Sequence, residues 1–200
     1  GRRGVPVKDV RPWTYAALFG TLWGALEATL GTAVYLGKVP FKGTLMGIVG
    51  LLCLICLRRL QPRPGVCLLA GAVAVFLKIF TLGGFYPGPV VGIAVQAVSV
   101  EIAMTGLGGG GLAAAVGGFI TMATNPLQKL VTARIVAGPE AVAASLRLLE
   151  ESAGALGLHG VRAVVLLGAV VVLTGLVGAA GGVWAWWVAG KVARRLGRRS

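Results

Sequence analysis

Six stretches of this chain, at about 13–36, 43–57, 66–82, 88–107, 112–136 and 161–190, are too poor in charge to suit a water-exposed surface. The last is the plainest: between Arg162 and Lys191 there is no acidic or basic residue. A bilayer's hydrocarbon core needs ~20 mainly apolar residues of helix per crossing. Inside it, each segment must satisfy its own backbone hydrogen bonds. The pattern predicts an all-α integral membrane protein, with residues 1–200 forming a single transmembrane domain of six helices. The second and third stretches are short and need flanking residues to complete them. Composition agrees, since only 12% of residues are charged against roughly a quarter in soluble domains. Turn-forming punctuation separates the stretches: "GKVPFKG", "RRLQPRPG", "GGFYPGP" and "GLGGGG".

The formal net charge of +13 raises the question of a nucleic-acid partner. Its distribution argues against one, because the cations crowd the ends and one short loop rather than a face interleaved with aromatics. Arg2, Arg3, Lys8 and Arg11 precede the first stretch, and Arg58, Arg59 and Arg63 follow the second. Lys191, Arg194, Arg195, Arg198 and Arg199 follow the last. Six crossings place all three clusters on one side, which the positive-inside rule makes cytoplasmic. Both termini are therefore expected in the cytoplasm, and the protein is expected to be multi-pass in an inner or plasma membrane, in contact with lipid. Trp184, Trp186 and Trp187, just before the basic tail, suit an interfacial anchor. The outer segment 139–158 reads as an amphipathic helix, either solvated at the interface or part of a lid over an outward-facing pocket.

Enzymatic chemistry finds no footing. Cys53 and Cys56 form a C-x-x-C, but inside an apolar helix, where small buried hydrophobes are the simpler role. One histidine, His159, and scattered acids make no metal cluster, and no cofactor is implied. "GLGGGG" lacks the Lys-Ser/Thr of a phosphate loop and reads as a turn. No Ser-His or paired-Asp arrangement is present.

What demands explanation is the polar minority. Glu27 is the only formal charge between Trp13 and Leu36, and an ionised group at mid-bilayer costs at least ~2.5 kcal/mol on insertion scales. Lys78 lies in the third stretch, Gln96 and Glu101 in the fourth, and Asn125, Gln128 and Lys129 in the fifth. At 1.5 Å per residue all except Glu101 fall in the outer half of the membrane. Buried polar groups need partners or water, so a shared outward-opening cavity is expected. Glu27, Lys78, Gln96, Asn125, Gln128 and Lys129 would line it, with Phe85 and Tyr86 of "GGFYPGP" at the mouth. The alternative is a structural ion pair of Glu27 with Lys78 or Lys129. Pro126 of "TNPLQKL" would kink the fifth helix and free carbonyls toward the cavity. An unpaired Glu27 would favour a cationic ligand; lysines beside it would neutralise it or hold an anion.

Small residues recur every four positions in the first stretch, at Ala16, Gly20, Gly24 and Ala28, and such a stripe admits another helix at close range. Gly43 and Gly47 repeat the spacing. Together these features resemble the substrate-binding S components of energy-coupling factor (ECF) transporters. In that family a first-helix Ala-x-x-x-Ala-type motif packs on a transmembrane coupling component that works with two ATPase subunits. "ALFGTLWGA" offers Ala17, then Gly20 or Thr21, then Ala25 at the matching positions, with glycines departing from strict alanines. "GGFYPGPVVGIAVQAVSVEIA" is similar to the entry and Gln-then-Glu fourth helix of S components for hydroxymethylpyrimidine or thiamine. The resemblance implies capture of a vitamin or vitamin precursor near the outer surface. The alternatives are a stand-alone channel or secondary carrier, for which inverted repeats would be expected, or a membrane scaffold or assembly protein.

Overall fold

The computed structural model describes residues 10–36, 42–81, 87–155 and 160–197. It is all-helical: seven helices and, among the described residues, no strand. They are α1 (Arg11–Leu36), α2 (Lys42–Leu60), α3 (Val66–Thr81), α4 (Pro87–Gly106), α5 (Gly111–Ala137), α6 (Pro139–Ala155) and α7 (Ala163–Gly197). Three contain segments long and apolar enough to cross a membrane: Gly43–Leu60 in α2, Gly88–Gly106 in α4 and Ala163–Arg195 in α7. α1 and α5 have the length, at 26 and 27 residues, but dilute their apolar content with glycine, threonine and the polar side chains. α3 stops at 16 residues.

Two boundaries differ from the pattern in the sequence. α2 continues through Arg58 and Arg59, and α7 runs on through Lys191, Arg194 and Arg195. Each extension carries cations into the last turn, where they meet the negative end of the helix dipole.

Glycine contacts set the directions of the long helices. Gly20 and Gly24 of α1 meet first Ala70 and Val73, then Ala74 and Leu77 of α3, so these two run parallel. α2 opposes α1, with Trp23 at Gly50 and Gly31 at Met46. α4 opposes α3, with Ala97 at Gly71. α5 opposes α4, with Gly117 against Val100 and Gln128 against Gly88. α7 opposes α5, with Gly178 against Gly118 and Gly182 against Ala114. Direction thus alternates through α1, α2, α3, α4, α5 and α7, and the start of α1 lies at the same end of the bundle as the finish of α7. α6 packs on α5 and α7 only, and its Glu150 Oε1 accepts the Ala163 N–H at the start of α7, 2.9 Å away. It makes no approach to α1–α4, so the described part of segment 139–158 does not cover their ends as a lid would.

The core is built on α2, with Leu51, Leu54, Ile55 and Leu57 fully buried alongside Trp23, Val100 and Met122. The outside is apolar as well. Val164, Val165, Val172, Leu173, Leu176 and Val177 of α7 and Leu18 and Leu22 of α1 are exposed. Soluble monomers rarely show such continuous apolar surface; lipid is its natural solvent, and the distribution is consistent with a membrane protein.

Candidate functional site

Glu27 and Lys78 meet across α1 and α3. Lys78 Nζ donates to Glu27 Oε2 at 3.2 Å and to the Glu27 backbone carbonyl at 2.9 Å. Both side chains are almost wholly withdrawn, 12% and 8% exposed. The contact exists because α1 and α3 run parallel and α1 presents glycine to α3, which brings residues of equal depth together. Gly31 keeps the space above the pair open: a methyl group there would lie 3.5 Å from Lys78 Nζ, 3.6 Å from Glu27 Oε2 and 3.7 Å from Met46 Sδ.

Such a pair is costly to break from one side, because the remaining charge stays buried. Lys78→Met is therefore expected to lose about 3 kcal/mol of stability, and Glu27→Gln/Lys78→Met to regain more than half of it. Denaturation in detergent measures both. A double-variant loss equal to the sum of the separate Lys78→Met and Glu27→Gln losses would mean that the two charges are not coupled.

The other polar side chains gather along one face of α2 that carries Gly43, Gly47 and Gly50. Gln96 of α4 is buried and donates through Nε2 to the Gly47 carbonyl at 2.7 Å. A methyl group at Gly50 would lie 2.7 Å from that Nε2 and 2.8 Å from Trp23 Cε2, so glycine at 50 is what lets amide and indole sit side by side. Asn125 of α5 lies above Gly47, and among the described residues its Nδ2 donates only to Met122 Sδ, 3.6 Å away. Lys129, one turn further, brings Nζ within 3.7 Å of where a Gly43 methyl would stand. It makes no hydrogen bond or ion pair among the described residues.

Of the sequence-predicted residues, Glu27, Lys78, Gln96, Asn125 and Lys129 thus lie around the same half of α2, at the end of the bundle opposite Arg58. Gln128 does not join them. It turns to α4, donating to the Gly88 carbonyl at 2.8 Å, beside an apolar groove of about 330 Å³ between α4 and α5 lined by Val91, Val95, Leu127 and Val131. Phe85 and Tyr86 lie outside the described residues, as does His159. Trp23 and Gly50 were not signalled by polarity. Their one sequence cue is spacing, since Trp23 stands a turn before Glu27 and Gly50 continues the Gly43–Gly47 face.

The small-residue stripe of α1 divides in two. Ala16, Gly20 and Gly24 are buried, and the glycines are filled by Ala70, Val73 and Leu77 of α3. That face serves the fold of this chain and leaves no room for a second protein. Ala28 is half-buried beside it. Ala17, Thr21 and Ala25 form the neighbouring line and are exposed. Trp186 also departs from the expected interfacial anchor. Arg59 donates to its carbonyl at 2.8 Å and stacks 3.9 Å from its ring centroid, tying α2 to α7. Trp184 and Trp187 remain exposed, with Lys191 over the Trp187 ring.

Compared with protein-family models, curated proteins and solved structures, the chain matches none.

Proposed function

We propose that this protein captures a small solute from outside the cell as the substrate-binding subunit of an ECF-type importer. In this reading all six long helices span the membrane. Both termini are cytoplasmic, and α6 lies at the outer surface. The observation that carries it is the gathering of Trp23, Gln96, Asn125 and Lys129 from α1, α4 and α5 on the glycine face of α2, with the Glu27–Lys78 pair of α1 and α3 close by near Met46, at the end remote from the basic clusters. A chain that needed only helix adhesion in lipid has little use for such a gathering, whereas a pocket for a vitamin or vitamin precursor needs convergent polar groups in an apolar wall. The alternating directions suit an even number of crossings, and the basic clusters of α2 and α7 fall together at one end, as the positive-inside rule asks of a cytoplasmic face. Ala17, Thr21 and Ala25 offer the transmembrane coupling component a line of small exposed residues on α1.

Purification from native membranes under mild detergent tests the assignment. The expected result is co-purification with a large membrane subunit and two ATPases, and a small molecule retained by native mass spectrometry. Transport by the chain alone in liposomes would replace it with a carrier. Absence of both ligand and ATPases would leave a scaffold.

A further inference from the structure

The basic end of α7 is more ordered than topology requires. The positive-inside rule asks for cations at this end of the bundle, in any arrangement. Here two of them are folded back against neighbouring tryptophans. Arg59 of α2 lies 3.9 Å from the centre of the Trp186 ring, and Lys191 Nζ lies 3.3 Å from that of Trp187. Glycine at 190 makes room for the first, since a Cβ there would stand 3.0 Å from Arg59 Cζ. Arg194 is exposed three residues after Lys191 and four after Gly190, so on a continuous helix it neighbours both positions. These three cations meet no acid among the described residues. Arg59 has a backbone carbonyl and a ring, and Lys191 has a ring. Glu101, the described acid at this end, is already matched by Arg58. Glu140, Glu150 and Glu151 lie on α6 at the other end. Like charges at helix spacing repel, and an anion among them turns that repulsion into binding.

The same face of α7 indicates which anion. Leu173, Leu176, Ala180, Trp184 and Trp187 are exposed at spacings of three or four residues, and the stripe runs directly into Lys191 and Arg194. A soluble anion has no use for that apolar approach. An amphiphile uses all of it: an apolar stripe for an acyl chain, indole rings that settle at the headgroup level, then cations for a phosphate. We infer that this face binds an anionic phospholipid, with its phosphate among Arg59, Lys191 and Arg194 and an acyl chain along the exposed stripe of α7. The lipid would bridge α2 and α7, the two helices that supply the cations. The inference rests on α7 crossing the membrane, as the capture reading has it, and is independent of the solute.

The test places the full chain in nanodiscs of phosphatidylcholine and phosphatidylglycerol with identical acyl chains, at a series of phosphatidylglycerol fractions. Native mass spectrometry counts the lipids that stay on the protein after release. The expected result is retention of phosphatidylglycerol over phosphatidylcholine. Lys191→Gln/Arg194→Gln should lower the affinity for phosphatidylglycerol about thirtyfold, the loss of ~1 kcal/mol for each of two cations beside the membrane. Arg134→Gln/Arg147→Gln removes the same charge from exposed positions at the opposite end and should leave that affinity unchanged. Equal retention of the two lipids overturns the inference. So does an equal effect of the two double variants, which would reduce the site to net charge. Displacement of the lipid by its water-soluble headgroup, glycerophosphoglycerol, at matching concentration overturns it in favour of a soluble anion. Each of these results, obtained with protein seated in the discs, leaves the membrane reading standing; a chain that fails to enter the discs removes that reading and this inference with it.

Discussion

Leucine in place of Gly182 is expected to prevent α5 and α7 from docking and to leave little folded protein. A Cβ at Gly182 would meet the Ala114 carbonyl oxygen, and one at Gly118 would meet that of Gly178. The same interface continues at Gly175, where a methyl would lie 2.6 Å from Phe119 Cε2, and ends where Trp186 covers Gly111. Backbone faces backbone over about one turn, from Gly178 to Gly182, as in helix pairs built on small-x-x-x-small spacing. In lipid there is no hydrophobic force to press helices together, so van der Waals contact must hold them. Overpacking against flexible side chains costs typically 1–3 kcal/mol. Here a peptide group is in the way and has no rotamer to change, so the helices must part along their length. The expected loss is at least ~3 kcal/mol, larger for leucine than for alanine. Gly168 supplies the control, because nothing stands within 4 Å of its Cβ position; Gly168→Ala should be neutral or stabilising by up to ~1 kcal/mol through helix propensity. Size-exclusion profiles and melting in detergent report both. A Gly182→Leu protein that melts with the parent would refute the close approach.

That interface also marks the limit of what could be read in advance. The apolar runs announced the helices, because length and lack of charge are properties of a single segment. Which helix fills a given groove is a property of two. The Ala16–Gly20–Gly24 spacing rightly implied close approach, but a stripe is silent about its occupant, and α3 turned out to be that occupant. With 33 glycines in the chain, the Gly178–Gly182 pair did not stand out from the rest. The ion pair was half legible: depth placed Glu27 level with both Lys78 and Lys129, and only the parallel packing of α1 on α3 chose Lys78. The early end expected for α2 came from reading Arg58 and Arg59 as loop residues. Their partners, Glu101 for Arg58 and the carbonyl and ring of Trp186 for Arg59, lie far away in the chain, where periodicity does not reach. Trp23 carried no polar signal in the sequence, and only the packing shows that its N–H has no acceptor among the described residues.

Glu101, the one polar residue whose depth set it apart, should prove the most costly to remove: Glu101→Ala is expected to lose about 3–5 kcal/mol, the range for a buried charge stripped of its partner. Its Oε1 accepts the Gly65 N–H at 2.9 Å and the Thr105 hydroxyl at 2.8 Å, and its Oε2 accepts the Cys67 N–H at 3.0 Å. Since α3 begins at Val66, these amides belong to the group that a helix start leaves without partners, and a carboxylate there also meets the positive end of the dipole. Gly65 adopts φ +88°, a conformation open to glycine, on the turn that leads into the cap. Arg58 completes the cluster: its Nη2 donates to Thr105 at 2.9 Å, and its Nη1 stands 3.9 Å from Glu101 Oε1. Alanine at 101 would orphan two amides and a buried guanidinium together. Glu101→Gln should lose roughly half as much, because one oxygen still accepts while the amide nitrogen opposes a donor. Hydrogen exchange separates this role from simple packing, since Gly65 and Cys67 amides should lose protection in Glu101→Gln before the rest of the bundle does. Unchanged exchange at those two amides would rule the cap out. The consequence reaches the far end of the bundle. α3 is the shortest of the long helices, and Lys78 stands twelve residues beyond Val66, ~18 Å along the axis. Fixing where α3 starts therefore fixes the depth at which Lys78 meets Glu27. Glu101→Gln should consequently weaken the Glu27–Lys78 coupling measured by the double-variant cycle, although no atom of Glu101 comes near either residue.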